Sequence, residues 1–166
     1  MAKHILTALV ENHAGILAKM AGLFARRGFN IDSLAVGVTQ NPDLSSATIV
    51  VDGDAYIVDQ VSKQLSKLID VIEVKALQPS KSVSRELSLI KVKCTAKERA
   101  EITQIADIFR ANIIDISDHA MILELTGTGS KIEAFEEMIA PYGIIEMTRT
   151  GLIAMSRSKE DGKGKK

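Results

Sequence analysis

Tryptophan is absent from this 166-residue sequence, aromatic residues make up 4% of it, and there is one cysteine. A single thiol, Cys94, excludes an intramolecular disulfide framework and any multi-cysteine metal site, which suits a reducing cytoplasm. It lies in the alternating run LSLIKVKC, where a buried or half-buried strand residue is expected; no neighbour in sequence is arranged to make it a thiolate. Net charge is missing as well. Lys plus Arg and Asp plus Glu each number 21, so no global field draws the chain to nucleic acid or an anionic membrane. No apolar run reaches the roughly 18 residues that a membrane-spanning helix needs. The start, MAKHILTALVEN, turns polar too soon for a signal peptide, so the chain is expected to stay in the cytoplasm where it is made.

What is present is a globular profile, 46% hydrophobic and 25% charged, long enough for one ordinary domain or two small ones. HILTALVE reads as a strand, and Gly15 to Arg27 as an amphipathic helix closed by Gly28. NIDSLAVGV and SSATIVVD are two more strands, joined by a turn at Asn41-Pro42-Asp43. Asp54 is placed to cap a second helix carrying Val58, Val61, Leu65 and Leu68 on one face, and DVIEVKAL returns as a strand. The order β-α-β-β-α-β predicts an α+β, ferredoxin-like unit over residues 1–78, an antiparallel sheet with both helices on one face.

A polar stretch with Pro79 and three serines follows, expected to be a linker over 79–85, after which the order begins again. ELSLIKVKC is a strand, Thr95 and Glu98 have capping-box spacing before a helix bearing Ile102, Ile105, Ala106 and Phe109, and NIIDIS and AMILELT are strands. Ser130 and Glu133 repeat the capping-box spacing, Pro141 stops that helix, and GIIEMTRTGLIAM ends a second unit over 86–156. The basic tail, 157–166, is expected to be disordered. LFARRGFNID answers IFRANIID, DVIEV answers GIIEM, and Ile49 and Ile122 precede Ile72 and Ile145 by equal steps, all of which suggests a tandem duplication.

The copies differ at one helix start. Where the second has Thr95-Ala96-Lys97-Glu98, the first has Asn12-His13-Ala14-Gly15, with almost no side-chain bulk. A helix start with free N–H groups and a positive dipole end suits a carboxylate, and glycine lets a small anion approach the backbone. The Asn12 amide adds a group that donates to a carboxylate or accepts from an ammonium, which together fits a free amino acid. Spacing alone leaves an ordinary helix cap as the other reading.

An enzyme of its own is not indicated. His4, His13 and His119 are scattered, none beside Cys94 or a pair of carboxylates, and Asp32, Asp115 and Asp118 read as turn or strand-edge residues. No cluster has metal-ligand spacing, and Gly127-Thr128-Gly129-Ser130 lacks the lysine of a phosphate loop and reads as a strand-to-helix turn. RNA-recognition modules share the element order but stack bases on sheet aromatics, whereas Phe24, Phe109 and Phe135 sit at core-facing helical positions.

The segment ENHAGILAKMAGLFARRGFNIDSLAVG resembles the ACT domain of the regulatory (small) subunit of acetohydroxyacid synthase, also called acetolactate synthase. SRELSLIKV, IFRANIIDI and TRTGLIAMSR fall in that family's order and extend the resemblance through the second unit, its ACT-like C-terminal domain. The resemblance implies a non-catalytic chain of branched-chain amino acid biosynthesis that dimerises through its ACT domains. It implies, too, that the chain activates a catalytic large subunit and confers feedback inhibition by valine at the ACT dimer interface. Asn12, His13, Ala14, Gly15, Ile16 and Leu17 would form the loop wall of the valine site, His13 and Ala14 through backbone N–H groups, and Asn30 and Ile31 of the neighbouring chain the other wall. No cofactor or metal is implied for this chain; thiamine diphosphate, magnesium and flavin belong to the large subunit. The alternative is an ACT amino-acid sensor that regulates a different enzyme.

Overall fold

The computed structural model describes residues 2–158, so the tail expected at 157–166 lies, beyond Ser158, outside the described residues. The chain divides into two compact units, Met1–Val83 with Leu152–Lys166, and Ser84–Gly151. In the first, β1 (Ala2–Glu11), α1 (Ile16–Arg27), β2 (Ile31–Val38), β3 (Leu44–Gly53), α2 (Ala55–Ser66) and β4 (Val71–Leu77) follow the expected order. The strands form an antiparallel sheet in the order β2-β3-β1-β4. Period-2 alternation on β1 sends Leu6, Ala8 and Val10 to one face, where Met20 and Phe24 of α1 and Val61 and Leu65 of α2 close over them. Each large side chain buried there contributes about 1.5–3 kcal/mol. Gly28, in the left-handed region at φ +67°, ends α1 by donating its N–H to the carbonyls of Phe24 and Ala25. Asp54 Oδ1 accepts the Ile57 N–H at 2.9 Å and starts α2.

The second unit repeats the plan with β5 (Ser82–Lys93), α3 (Arg99–Phe109), β6 (Asn112–Ile116), β7 (Ala120–Gly127), α4 (Gly129–Ile139) and β8 (Ile144–Arg149), strand order β6-β7-β5-β8. Ile90, Leu123, Leu125, Ile102, Ile132, Phe135 and Ile139 form its core, with the Phe109 and Phe135 rings 5.2 Å apart. Thr95 and Glu98 make the expected capping box: the Thr95 N–H and Oγ–H donate to the Glu98 carboxylate at 2.9 and 2.7 Å, and the Glu98 N–H returns to Thr95 Oγ at 3.4 Å. For α4 the expectation is corrected. Thr128, not Ser130, is the cap, its hydroxyl accepting the Lys131 N–H, while Ser130 bonds Thr128 side chain to side chain.

Duplication is written into the strand irregularities. The β1–β4 register slips between Leu9 and Val10 opposite Ile72, and the β5–β8 register slips between Lys91 and Val92 opposite Ile145. One β-bulge therefore recurs, and Val10 answers Val92. Counting from that pair, Ile49 answers Leu125, because Ile49 pairs with Leu6 and Leu125 with Ser88; the sequence pairing of Ile49 with Ile122 is displaced. By the same count Asn12 answers Cys94, and Gly15 answers Lys97.

Two boundaries differ from the sequence reading. Pro79–Lys81 is a single helical turn, Ser82 Oγ closes it on the Gln78 carbonyl at 2.8 Å, and β5 already runs from Ser82, so residues 82–85 are strand rather than linker. At the other end GIIEMTRTGLIAM is broken at Gly151, φ +79°, into β8 and a separate β9 (Ile153–Ser156). The Ala154 N–H of β9 reaches Thr48 Oγ at 3.3 Å and the Arg157 N–H bonds the Lys81 carbonyl at 2.9 Å, so β9 groups with the first unit.

Candidate functional site

Three residues link the end of β1 to the N-cap of α1. The Asn12 N–H bonds the Asp43 carbonyl at 2.8 Å and Asn12 Nδ2 bonds the Pro42 carbonyl at 2.8 Å, which ties the loop to the turn between β2 and β3. Gly15 stands at the N-cap with φ +92° and ψ −11°, a conformation that carries little cost only without a Cβ, and no side chain caps the helix. The first helical bond runs from the Lys19 N–H to the Gly15 carbonyl at 3.0 Å, so the N–H groups of Ile16, Leu17 and Ala18 point out of the helix start. A Cβ built on Gly15 meets nothing within 4 Å. The glycine is therefore required by backbone conformation, and the space beside it is open.

A buried carboxylate holds this loop from the side. Asp70, 7% exposed at the entry to β4, accepts the Glu11 N–H on its carbonyl at 2.9 Å, faces His13 Nε2 through Oδ1 at 2.8 Å, and accepts Lys19 Nζ on Oδ2 at 2.5 Å. His13 Nδ1 lies 3.0 Å from the Ala14 carbonyl, so both ring nitrogens face acceptors, an arrangement that only the doubly protonated imidazolium satisfies. The Ala14 carbonyl first and Asp70 next raise the His13 pKa above its usual value. Lys19 and then His13 hold the Asp70 carboxyl below the usual carboxylate range. Glu11, His13 and Asp70 offer ligand atoms within 4.8 Å of one another, a cluster that the sequence did not suggest. Since both Asp70 oxygens are engaged, Oδ1 by the His13 ring and Oδ2 by the Lys19 ammonium, the cluster is a hydrogen-bonded network closed on itself.

Asn12, His13, Ala14 and Gly15 come together at one exposed corner, with Leu17, 46% exposed, on the rim, while Ile16 turns into the core. Asn30 and Ile31 do not join them. Ile31 pairs with Val51, which pairs with His4, whereas the loop leaves the other end of β1 at Glu11; seven residues of strand, about 24 Å, separate the two within one chain. Asp70 and Lys19 were missed by sequence reading, although the alignment of DVIEV with GIIEM does set Asp70 against Gly143. Elsewhere Cys94 is buried, its Sγ directed at the Thr95 carbonyl, and His119 is exposed although its carbonyl takes the Cys94 N–H at 2.9 Å. Among the described residues no helix is long and apolar enough to cross a membrane.

Comparison with known proteins adds an independent observation. Residues 6–73 match the family described as AHAS small subunit-like ACT domain, and residues 85–158 match the small subunit of acetolactate synthase. The chain is 51% identical over 158 residues to the probable acetolactate synthase small subunit of Archaeoglobus fulgidus, covering 95% of this chain and 99% of the relative. It is 46% identical over 154 residues to the acetolactate synthase small subunit of Mycolicibacterium smegmatis, covering 93% and 92%. The crystal structure of the acetolactate synthase small subunit from Thermotoga maritima superposes with a TM-score of 0.88 at 42% identity, over 95% of this chain and 98% of that one.

Proposed function

The chain belongs to the family of acetolactate synthase small, regulatory subunits, and from that premise we propose that it activates a catalytic large subunit and confers feedback inhibition by valine. The observation that carries the effector half is the uncapped, left-handed glycine start of α1, present in the first unit and replaced by a closed capping box in the second. Free N–H groups and the helix dipole take the carboxylate of the amino acid, and Asn12 and Leu17 flank it. The chain works without a cofactor; thiamine diphosphate, magnesium and flavin sit in the large subunit, and the complex is cytoplasmic.

A second copy completes the site. β2 is an edge strand whose helix-side residues Leu34, Val36 and Val38 remain exposed, an open edge of the kind that a partner strand covers. Two-fold pairing of β2 with β2 runs the strands antiparallel and brings the partner subunit's Asn30 and the partner's Ile31 to the Val38 end, which is the loop's end of the sheet. That reconciles the separation of these residues within one chain with a shared interface. The first unit senses the ligand, and the second contacts or tunes the large subunit. Calorimetric titration of the full chain with valine, leucine and isoleucine, followed by reconstitution with the catalytic subunit, tests the reading. Saturable valine binding with valine-dependent inhibition supports it; absence of binding by all three refutes the effector assignment.

A further inference from the structure

Asp70 has no role in the effector reading, yet it is buried and three attachments of the loop converge on it. They bracket Gly15: Glu11 precedes the loop, His13 lies within it, and Lys19 sits one turn into the helix. We propose that Asp70 is a positioning residue for the effector loop, clamping His13 and Lys19 from the start of β4 so that the bare helix start is held in its open, ligand-accepting form. The proposal rests on the effector reading above and identifies the device that holds that site in shape.

The second unit supplies the internal control. Gly143 stands where Asp70 stands, and it keeps only the shared backbone bond, with the Lys93 N–H to the Gly143 carbonyl at 2.9 Å against Glu11 to Asp70 at 2.9 Å. Thr95 answers His13 and Glu101 answers Lys19, so the clamp is absent there, and the helix start is closed by its own side chains. Clamp and uncapped glycine therefore occur together and are missing together. This is the expected pairing if the clamp replaces the order that a cap would have supplied, since a left-handed glycine otherwise leaves the loop its freedom.

The clamp contains a titrating element. The charged groups facing His13 are Asp70 in the turn just before β4, Glu11 at the end of β1, 3.7 Å from Nε2, and Lys19 on α1 through its bond to Asp70; the Ala14 carbonyl faces the other nitrogen. A neutral imidazole has one donor, so on deprotonation one nitrogen lone pair meets either the carbonyl or the carboxylate and that contact is lost. Loop order, and with it effector affinity, falls as pH rises through the His13 titration.

The test is calorimetric titration of the full chain with valine between about pH 5.5 and 8.5, comparing wild type with Asp70→Asn and His13→Gln, together with the titration of the His13 ring proton by NMR in ligand-free protein. Wild-type affinity should fall several-fold as pH rises, both variants should lose that slope, and Asp70→Asn should bind about tenfold more weakly near pH 6. His13 in Asp70→Asn should titrate at a lower pH than in wild type. A wild-type profile flat in pH, or wild-type affinity and slope in Asp70→Asn, overturns the proposal; His13→Gln, on an exposed loop, provides the comparison if Asp70→Asn does not fold. Should wild type bind none of the three amino acids, the effector reading fails. The clamp is then judged on the His13 titration and on hydrogen exchange at residues 12–17, and it is overturned if Asp70→Asn leaves both unchanged.

Discussion

Replacing Gly15 by aspartate separates the two things that the glycine does. Its φ of +92° lies in the left-handed region, where a side chain costs about 1–2 kcal/mol, and aspartate is among the residues that tolerate it best. No atom lies within 4 Å of the new Cβ, so within the chain there is room and the fold should survive. The functional effect then comes from charge. A carboxylate at the helix start placed about 5 Å from the effector carboxylate repels it by roughly 0.8 kcal/mol at the dielectric constant of water and about 3 kcal/mol at an effective value near 20. Valine affinity should therefore drop between about fourfold and a few hundredfold. Gly15→Asn has nearly the same shape and left-handed tolerance without the charge, and should lose far less. Each variant is reconstituted with the catalytic subunit, and inhibition is followed against valine concentration, with activation in the absence of valine as the control for assembly. If Gly15→Asp stays fully valine-sensitive, or Gly15→Asn loses as much as Gly15→Asp, the bare helix start is a backbone device only and the anion-site argument is wrong.

Further expectations follow from the same geometry. Asn12→Ala removes the 2.8 Å bond to the Pro42 carbonyl, worth about 0.5–1.5 kcal/mol, so valine inhibition should weaken with little change in activation; unchanged inhibition in the reconstituted complex would dismiss the loop tie. Val36→Lys places a charge on the exposed helix side of edge strand β2 and should convert a dimer to a monomer in sedimentation velocity, whereas an unaltered dimer would locate the interface elsewhere. Phe135→Ala empties the most voluminous fully buried position of the second unit and should cost about 3–5 kcal/mol in denaturant unfolding. For the clamp, the sign of the pH dependence follows from the two shifts. Asp70, held below its usual pKa, contributes stability above about pH 4 and loses it on acidification; His13, raised, contributes fully below about pH 6.5 and loses it as pH rises through its folded value. The difference in melting temperature between wild type and Asp70→Asn should therefore be largest between these limits, and a difference that does not vary with pH would count against the pairing.

Much of this molecule is legible in local pattern. Val58, Val61, Leu65 and Leu68 at helical spacing in the first unit, Ile102, Ile105, Ala106 and Phe109 at helical spacing in the second, and the turn chemistry at Asn41-Pro42-Asp43 predict the two α+β units, because each element's buried face is dictated by its own period. The uncapped start at Gly15 was equally legible, since only one copy lacks a capping box. Tertiary structure decided what depends on register and on distant partners. The bulges opposite Ile72 and Ile145 leave no mark in the hydrophobic pattern, and the chain from β3 to β4 runs 23 positions from Ile49 to Ile72 against 20 from Leu125 to Ile145, so equal steps along the sequence set Ile49 against Ile122 where strand pairing sets it against Leu125. β9 looked like the end of β8 because alternation continues through it; the left-handed Gly151 between them redirects the chain, and hydrogen bonds to Thr48 and Lys81 decide where it docks. Asp70 read as the opening of a strand, and its place against His13 and Lys19 exists only once the sheet has brought residues more than fifty positions apart into contact, because a side-chain hydrogen bond depends on separation in space and not on separation along the chain.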